Sequence, residues 1–203
     1  MIKSASQFSG IGAFECALEN LKLEHENVMA VEFCKYARLS FLANFKEPKH
    51  YFKDSYDADY ENVEQTDIFL SSPPCQAFSL AGKRLGELDK RGILFYETYR
   101  FISVNQPKVF IIENVKGLLS AEKGTIFQNW IELLGRSVNG HEKMFIHEDS
   151  LEYNLHYTVL NSKNFGVPQN RERVFIVGIR KDLPNDFRFP IGLRLDKRLR
   201  YVL

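Results

Sequence analysis

The stretch DIFLSSPPC, residues 67–75, decides how the chain is to be read. Its first half is apolar and short, as a buried strand is; its second half sets two prolines before a cysteine. Pro73 and Pro74 fix φ and remove two backbone donors, so no central strand continues through them and the chain leaves the sheet there. Cys75 is therefore expected at a strand exit, at the head of the polar, glycine-containing loop QAFSLAGKR.

Working outward from that exit, apolar runs bounded by turn residues alternate with stretches of helical period, the pattern of βαβ units and a mostly parallel sheet. Upstream we read a strand ending at Phe8, a glycine turn, a helix from about Gly12 to Leu21, and a strand NVMAVEF ending near Glu32. A helix CKYARLSFLANF and a short strand HYFKD ending at Asp54 follow. Downstream, a helix beginning near Gly92 leads to KVFIIENV, whose apolar core from Val109 to Ile112 fits a doubly covered parallel strand with Glu113 and Asn114 at its carboxyl end. Residues 135–149 are polar and charged and are expected to form a long loop or insertion. HYTVLNS, the turn GVPQN and RVFIVGI then read as a hairpin-type pair at the end of the sheet.

A chain of 203 residues accommodates one α/β domain and at most a modest extension. With 44% hydrophobic and 26% charged residues it has a globular balance, which excludes disordered and collagen-like classes. No apolar run is long enough to span a bilayer, and MIKSASQF lacks the order of a signal peptide, so a membrane partner is not expected. Cys16, Cys34 and Cys75 lie far apart without a CxxC pair, which argues against a zinc site or a disulfide framework and suits a cytoplasmic setting. A formal net charge of +1 gives no global field toward nucleic acid, so such a partner must be met locally. Lys83, Arg84, Lys90 and Arg91 form one basic cluster, and residues 188–200 another.

Open α/β sheets bind ligands beyond the carboxyl ends of their strands, and the polar candidates fall at such ends. FSGIG (residues 8–12) lets backbone approach a ligand before a helix opens, yet lacks the third glycine of GxGxxG; it reads equally as a tight turn with no ligand. Glu32 stands where an acidic side chain meets ribose hydroxyls, although it and Asp54 also read as solvated strand-end charges. Cys75 is either a small buried hydrophobe or, as its proline exit and following Gln76 favour, a nucleophile whose thiolate needs nearby positive charge such as Arg173. Glu113 follows four apolar residues, so partial desolvation is expected to raise its pKa; otherwise it is a strand-end carboxylate held by backbone amides. Arg171 and Arg173 of QNRER read otherwise as surface charges on a hairpin.

In this order, FSGIGAFECALE, AVEFCKYA, SSPPCQAFSLAGKR, RGILFYE, IIENVKGLL and FGVPQNRERVFIVGIR resemble the C5 cytosine-specific DNA methyltransferases over nearly the whole chain. The resemblance implies a Rossmann-like S-adenosylmethionine-dependent methyltransferase fold, with a cofactor-binding and catalytic domain over residues 1–187. It implies that Phe8, Gly10, Gly12, Glu32 and Asp54 hold S-adenosylmethionine, Glu32 at the ribose and Asp54 at the adenine amine, with Pro74 and Leu94 beside it. It makes Cys75 the nucleophile, Glu113 the partner of the cytosine N3 edge, and Arg173 a contact to O2 braced by Arg171 and Gln169. Gln76, Ser79, Lys83 and Arg84 lie in a loop that would close over a flipped base of double-stranded DNA, its cations meeting phosphates.

The chain departs from that pattern at Gln7, Ala13 and Ser72, where the family commonly has an apolar residue, a glycine and a glycine. Residues 188–203 resemble the lead-in to the family's target-recognition region, and neither that region nor the closing helix is present. A split enzyme completed by a second polypeptide, or a truncated one, is therefore expected ahead of a natural minimal form acting on another substrate, working in the cytoplasm at the nucleoid. The rivals are a cytosine methyltransferase acting on tRNA and a non-catalytic subunit that binds S-adenosylmethionine.

Overall fold

The computed structural model describes residues 1–74 and 94–192. One sheet runs through them, in the order β3-β2-β1-β4-β5-β9-β8-β6-β7. Its first five strands are β1 (Ile2–Gln7), β2 (His25–Val31), β3 (His50–Phe52), β4 (Ile68–Ser71) and β5 (Val109–Val115), and all neighbours among them are parallel. The chain winds outward from β1 to β3, then returns to lay β4 on the other side of β1, so the strand order reverses between β1 and β4. Ligands bind in the crevice at such a reversal, outside the carboxyl ends of the strands.

Helices α1 (Ala13–Asn20), α2 (Lys35–Asn44), α3 (Leu94–Asn105) and α4 (Thr125–Leu134) complete the layers. Phe69 of β4 and Phe110 of β5 are register partners, and Phe101 of α3 packs on Phe69 with ring centroids 4.3 Å apart. Phe95 of α3 stacks on Trp130 of α4 at 4.0 Å, which places both helices on this face. Each such fully buried aromatic contributes roughly 1.5–3 kcal/mol of burial free energy. The opposite face carries α1, where Ser6 Oγ donates to Glu15 Oε1 at 2.8 Å.

Beyond β5 the sheet turns antiparallel. Strand β9 (Glu172–Ile179) pairs with β5 and with β8 (Tyr153–Asn161), the hairpin-type pair expected from the sequence. Three expectations are corrected. The hairpin is not the end of the sheet, and residues 135–149 are not all loop: β6 (Gly135–Val138) runs parallel to β8, and β7 (His141–Glu142) closes the edge. The inward positions of β6 are Gly135 and Ser137, so no apolar alternation marks it; a Cβ on Gly135 would stand 2.3 Å from Leu155 of β8. Strand β5, read as a doubly covered parallel strand, is parallel only to β4. Phe110 and Ile112 are fully buried under α3 and α4, whereas Ile111 and Glu113 on the other face are half-buried. Among the described residues no helix is long and apolar enough to cross a membrane.

Candidate active site

The end of β1 is a chain of backbone turns. Phe8 and Gly10 take left-handed φ values of 55° and 56°, and Gly12, the residue before α1, takes 94°. These angles bring the Gly10 amide to Glu32 Oε2 at 2.8 Å, while the amide of Cys34 donates to Oε1 at 2.7 Å. Glu32, one residue past β2, is thus oriented by two backbone donors. The two glycines have separate reasons. A Cβ on Gly10 would meet nothing within 4 Å, whereas one on Gly12 would stand 2.3 Å from Phe45 and 3.2 Å from Phe41. Gly10 leaves space open; Gly12 lets α1 close on α2.

Asp54 lies two residues past β3, with Oδ1 accepting from the Tyr56 amide at 3.1 Å. Arg38 of α2 ties the ends of β2 and β3 together: its guanidinium donates to the Phe52 carbonyl at 2.6 Å and the Tyr51 carbonyl at 3.2 Å, and lies 3.8 Å from the Tyr51 ring centre. Sequence reasoning missed Arg38, and it missed Phe33, whose ring is 69% exposed directly beside Glu32. The adjacency of an aromatic residue to the strand-end acid was the available signal.

A second group gathers on β5 and β9. Register sets Glu113 opposite Phe175 and Val115 opposite Arg173, and the Arg173 side chain reaches back so that Nε lies 2.8 Å from Glu113 Oε1. Arg171 Nη2 is 4.0 Å from the same oxygen. The Glu113 and Arg173 side chains are about one quarter exposed, at 23% and 22%. They line a cavity of about 340 Å³ walled by Leu160, Phe165, Phe175 and Pro190. That size falls at the low end of small-molecule pockets, roughly 300–1,000 Å³. Gln169 is exposed in the turn before β9, where its carbonyl accepts from Ser162 Oγ at 2.7 Å.

The neighbour of Glu113 joins this cavity to the proline exit. Asn114 is buried; its Nδ2 donates to the Pro73 carbonyl at 3.0 Å and its Oδ1 accepts from the Val115 amide at 2.8 Å. Asn114 therefore grips the chain two residues before Cys75. Pro74 is exposed at that exit, and Leu94 opens α3 one turn before Glu97, whose carbonyl accepts from Gln7 at the end of β1. Cys75, Gln76, Ser79, Lys83 and Arg84 lie outside the described residues, as do the C-terminal residues 193–203. Among the described residues no group of three or more His, Cys, Asp or Glu side chains forms a metal site.

The family model for C-5 cytosine-specific DNA methylase matches residues 2–200. Over 184 residues the chain is 40% identical to the orphan methyltransferase M.SPRI of Bacillus phage SPR, covering 90% of this chain and 38% of that protein. Over 192 residues it is 38% identical to the type II methyltransferase M.NgoBI of Neisseria gonorrhoeae, covering 95% and 55%. The crystal structure of the S. pombe Dnmt2 methyltransferase shares the fold, with a TM-score of 0.63 at 21% identity over 92% of this chain and 53% of that one. The chain spans from about a third to just over half the length of the curated relatives it matches. By the extent of that match, the chain belongs to the C-5 cytosine-specific DNA methylases.

Proposed function

We propose that the chain carries the donor site and the reacting residues of a DNA cytosine C5 methyltransferase, acting through a covalent bond between Cys75 and C6 of a base flipped from the duplex. The observation that supports this most is the junction of β4 and β5. There Glu113 and Arg173 face one cavity, while Asn114 holds the chain that runs into Cys75.

S-adenosylmethionine is the methyl donor of this family. The residues present fit it: the space over Gly10 is open, Phe33 offers an aromatic face, and each Glu32 oxygen keeps an acceptor site after its one backbone bond. Glu32 is assigned to the ribose hydroxyls, Asp54 to the adenine amine and Phe33 to the adenine face. The backbone of Phe8, Gly10 and Gly12 lies along the remainder, with Pro74 and Leu94 beside it. When bound, this cofactor supplies a sulfonium methyl group that an electron-rich carbon takes.

Cytosine C5 is too poor a nucleophile unaided. The Cys75 thiolate adds to C6 and pushes electron density to C5, while the Glu113 carboxyl engages N3 and Arg173 engages O2, stabilising charge on the ring. Arg171 and Gln169 brace the Arg173 side of the cavity. Loss of the C5 proton and expulsion of the thiolate restore the aromatic ring. Flipping the base costs a few kcal/mol, recovered through these contacts. Gln76, Ser79, Lys83 and Arg84 are assigned to the substrate, the two cations to phosphates, which adds affinity without sequence choice. Base-specific reading is assigned to protein outside the two pockets, a second polypeptide in this proposal, and the setting to the cytoplasm at the nucleoid.

The test is covalent capture. With 5-fluorocytosine in an oligonucleotide, methyl transfer proceeds but the fluorine does not leave as a cation, so the adduct persists. Intact-mass measurement is expected to show the chain plus one oligonucleotide and one methyl group, and Cys75→Ala is expected to abolish that species while still binding S-adenosylhomocysteine. Capture that survives in Cys75→Ala overturns the assignment.

A further inference from the structure

The segment between β3 and β4, which begins with the Asp54 loop, is held from beneath by side chains of β1 and α3. Gln7, the last residue of β1, is fully buried, and its Nε2 donates to the Tyr60 hydroxyl and to the Glu97 carbonyl at 3.3 Å. The Tyr60 hydroxyl donates onward to the Ser55 carbonyl at 3.3 Å. That same carbonyl accepts from Arg100 Nη2 at 2.6 Å, and Arg100 Nη1 donates to the Ala58 carbonyl at 3.1 Å. Glu97 fixes the guanidinium with bonds of 2.9 and 2.7 Å, and the guanidinium carbon lies 4.2 Å from the centre of the Tyr60 ring.

Two features give this network a purpose beyond packing. Tyr60 is 1% exposed, and its ring already has edge contacts to Phe101 at 5.1 Å and Phe52 at 6.4 Å, so the ring alone would hold the core there. Its hydroxyl does something else: it joins Gln7, the residue before Phe8 and the FSGIG turn, to Ser55, the residue after Asp54. Burial pushes the Tyr60 phenol well above its ordinary value, so it remains a donor across the physiological range. The two loops on either side of the donor site thus share one hydrogen-bonded bridge.

We infer that Gln7, Tyr60 and Arg100 are positioning residues for the methyl donor, setting the spacing between the Phe8–Gly10 turn and Asp54 through the Tyr60 hydroxyl. This rests on the donor-site reading above. The bridge acts on affinity for the adenosine end of the donor and leaves the reacting base pocket on β5 and β9 untouched.

The test is a double-mutant cycle read as binding of S-adenosylhomocysteine by calorimetry, at a temperature where circular dichroism shows every variant folded. Tyr60→Phe keeps the ring and removes both hydroxyl bonds, and it is expected to raise Kd about tenfold. Gln7→Met is expected to raise it similarly, and the pair together no further than the worse single change, because both cut one bridge. Arg100→Lys, which keeps the charge and loses the fork, serves as an independent variant and is expected to weaken binding in the same sense. A merely structural role predicts lower melting temperatures with Kd unchanged, or additive losses in the pair, and either result overturns the inference alone. Absence of binding by the unmodified chain overturns the donor-site reading and this inference with it.

Discussion

At the carboxyl ends of β1 to β3, polar groups are placed by backbone: amides of Gly10 and Cys34 orient Glu32, and left-handed φ values at Phe8, Gly10 and Gly12 shape the turn. Across β5 and β9 the placement comes from side chains on adjacent strands, Glu113 against Arg173, with Asn114 reaching sideways to the Pro73 carbonyl. The first region is suited to a large, fixed ligand that runs along a turn. The second is suited to a planar polar edge that must meet donors and acceptors at set points. The difference teaches where each region is fragile: the first at its conformation, the second at its side-chain chemistry.

The comparison breaks most sharply at Arg173. Arg173→Ala leaves Glu113 without its 2.8 Å partner and, on the proposed function, removes the O2 donor, so capture of the 5-fluorocytosine oligonucleotide is expected to slow by roughly a hundred- to a thousandfold. Binding of S-adenosylhomocysteine is expected to stay within about twofold, since the two ends are built separately. An equal loss of cofactor binding would show that they are one unit.

Two glycines two residues apart in chain position and different in cause sharpen the other side. Gly12→Ala drives a Cβ to 2.3 Å from Phe45 and is expected to lower stability by roughly 2–3 kcal/mol, read by denaturant unfolding. Gly10→Ala meets no neighbour, so only its φ of 56° is penalised, at about 1 kcal/mol, and its larger effect is expected on cofactor affinity. Equal stability losses would remove the distinction drawn between them.

The smallest effect concerns Glu15, beneath the same turn. Burial is the main cause holding its carboxyl above the ordinary value of 4.5, against bonds from Ser6 and Asn27 that act the other way. A carboxyl with a raised folded pKa binds its proton more tightly when folded, so its stabilisation is full below about pH 4.5 and is lost as pH rises through the folded value. Glu15→Gln keeps an acceptor without the charge. It is expected to be more stable than the parent at pH 7 and to lose that advantage at pH 4, by thermal melts. A variant less stable than the parent at pH 7 would contradict the sign.

Most of the fold was legible because its strands are either continuous apolar runs, as in Val109 to Ile112, or stop at residues that forbid continuation, as at Pro73 and Pro74. Strand β6 was not legible because packing against Leu155 demands glycine there, and glycine followed by Arg136 and Ser137 carries no strand pattern. In the candidate site, Glu32, Asp54 and Glu113 were legible as acids at or near the carboxyl ends of strands. The contacts of Arg38, Asn114 and Arg100 were not legible, because they act on carbonyl groups of distant segments, and which carbonyl a side chain reaches is set by the sheet order and not by spacing along the chain.

The most direct measurement is a calorimetric titration of S-adenosylhomocysteine into the unmodified chain, Glu32→Ala and Arg173→Ala. The account predicts one-site binding by the unmodified chain, kept in Arg173→Ala and lost in Glu32→Ala. No binding by the unmodified chain, or losses of equal size in both variants, would contradict it.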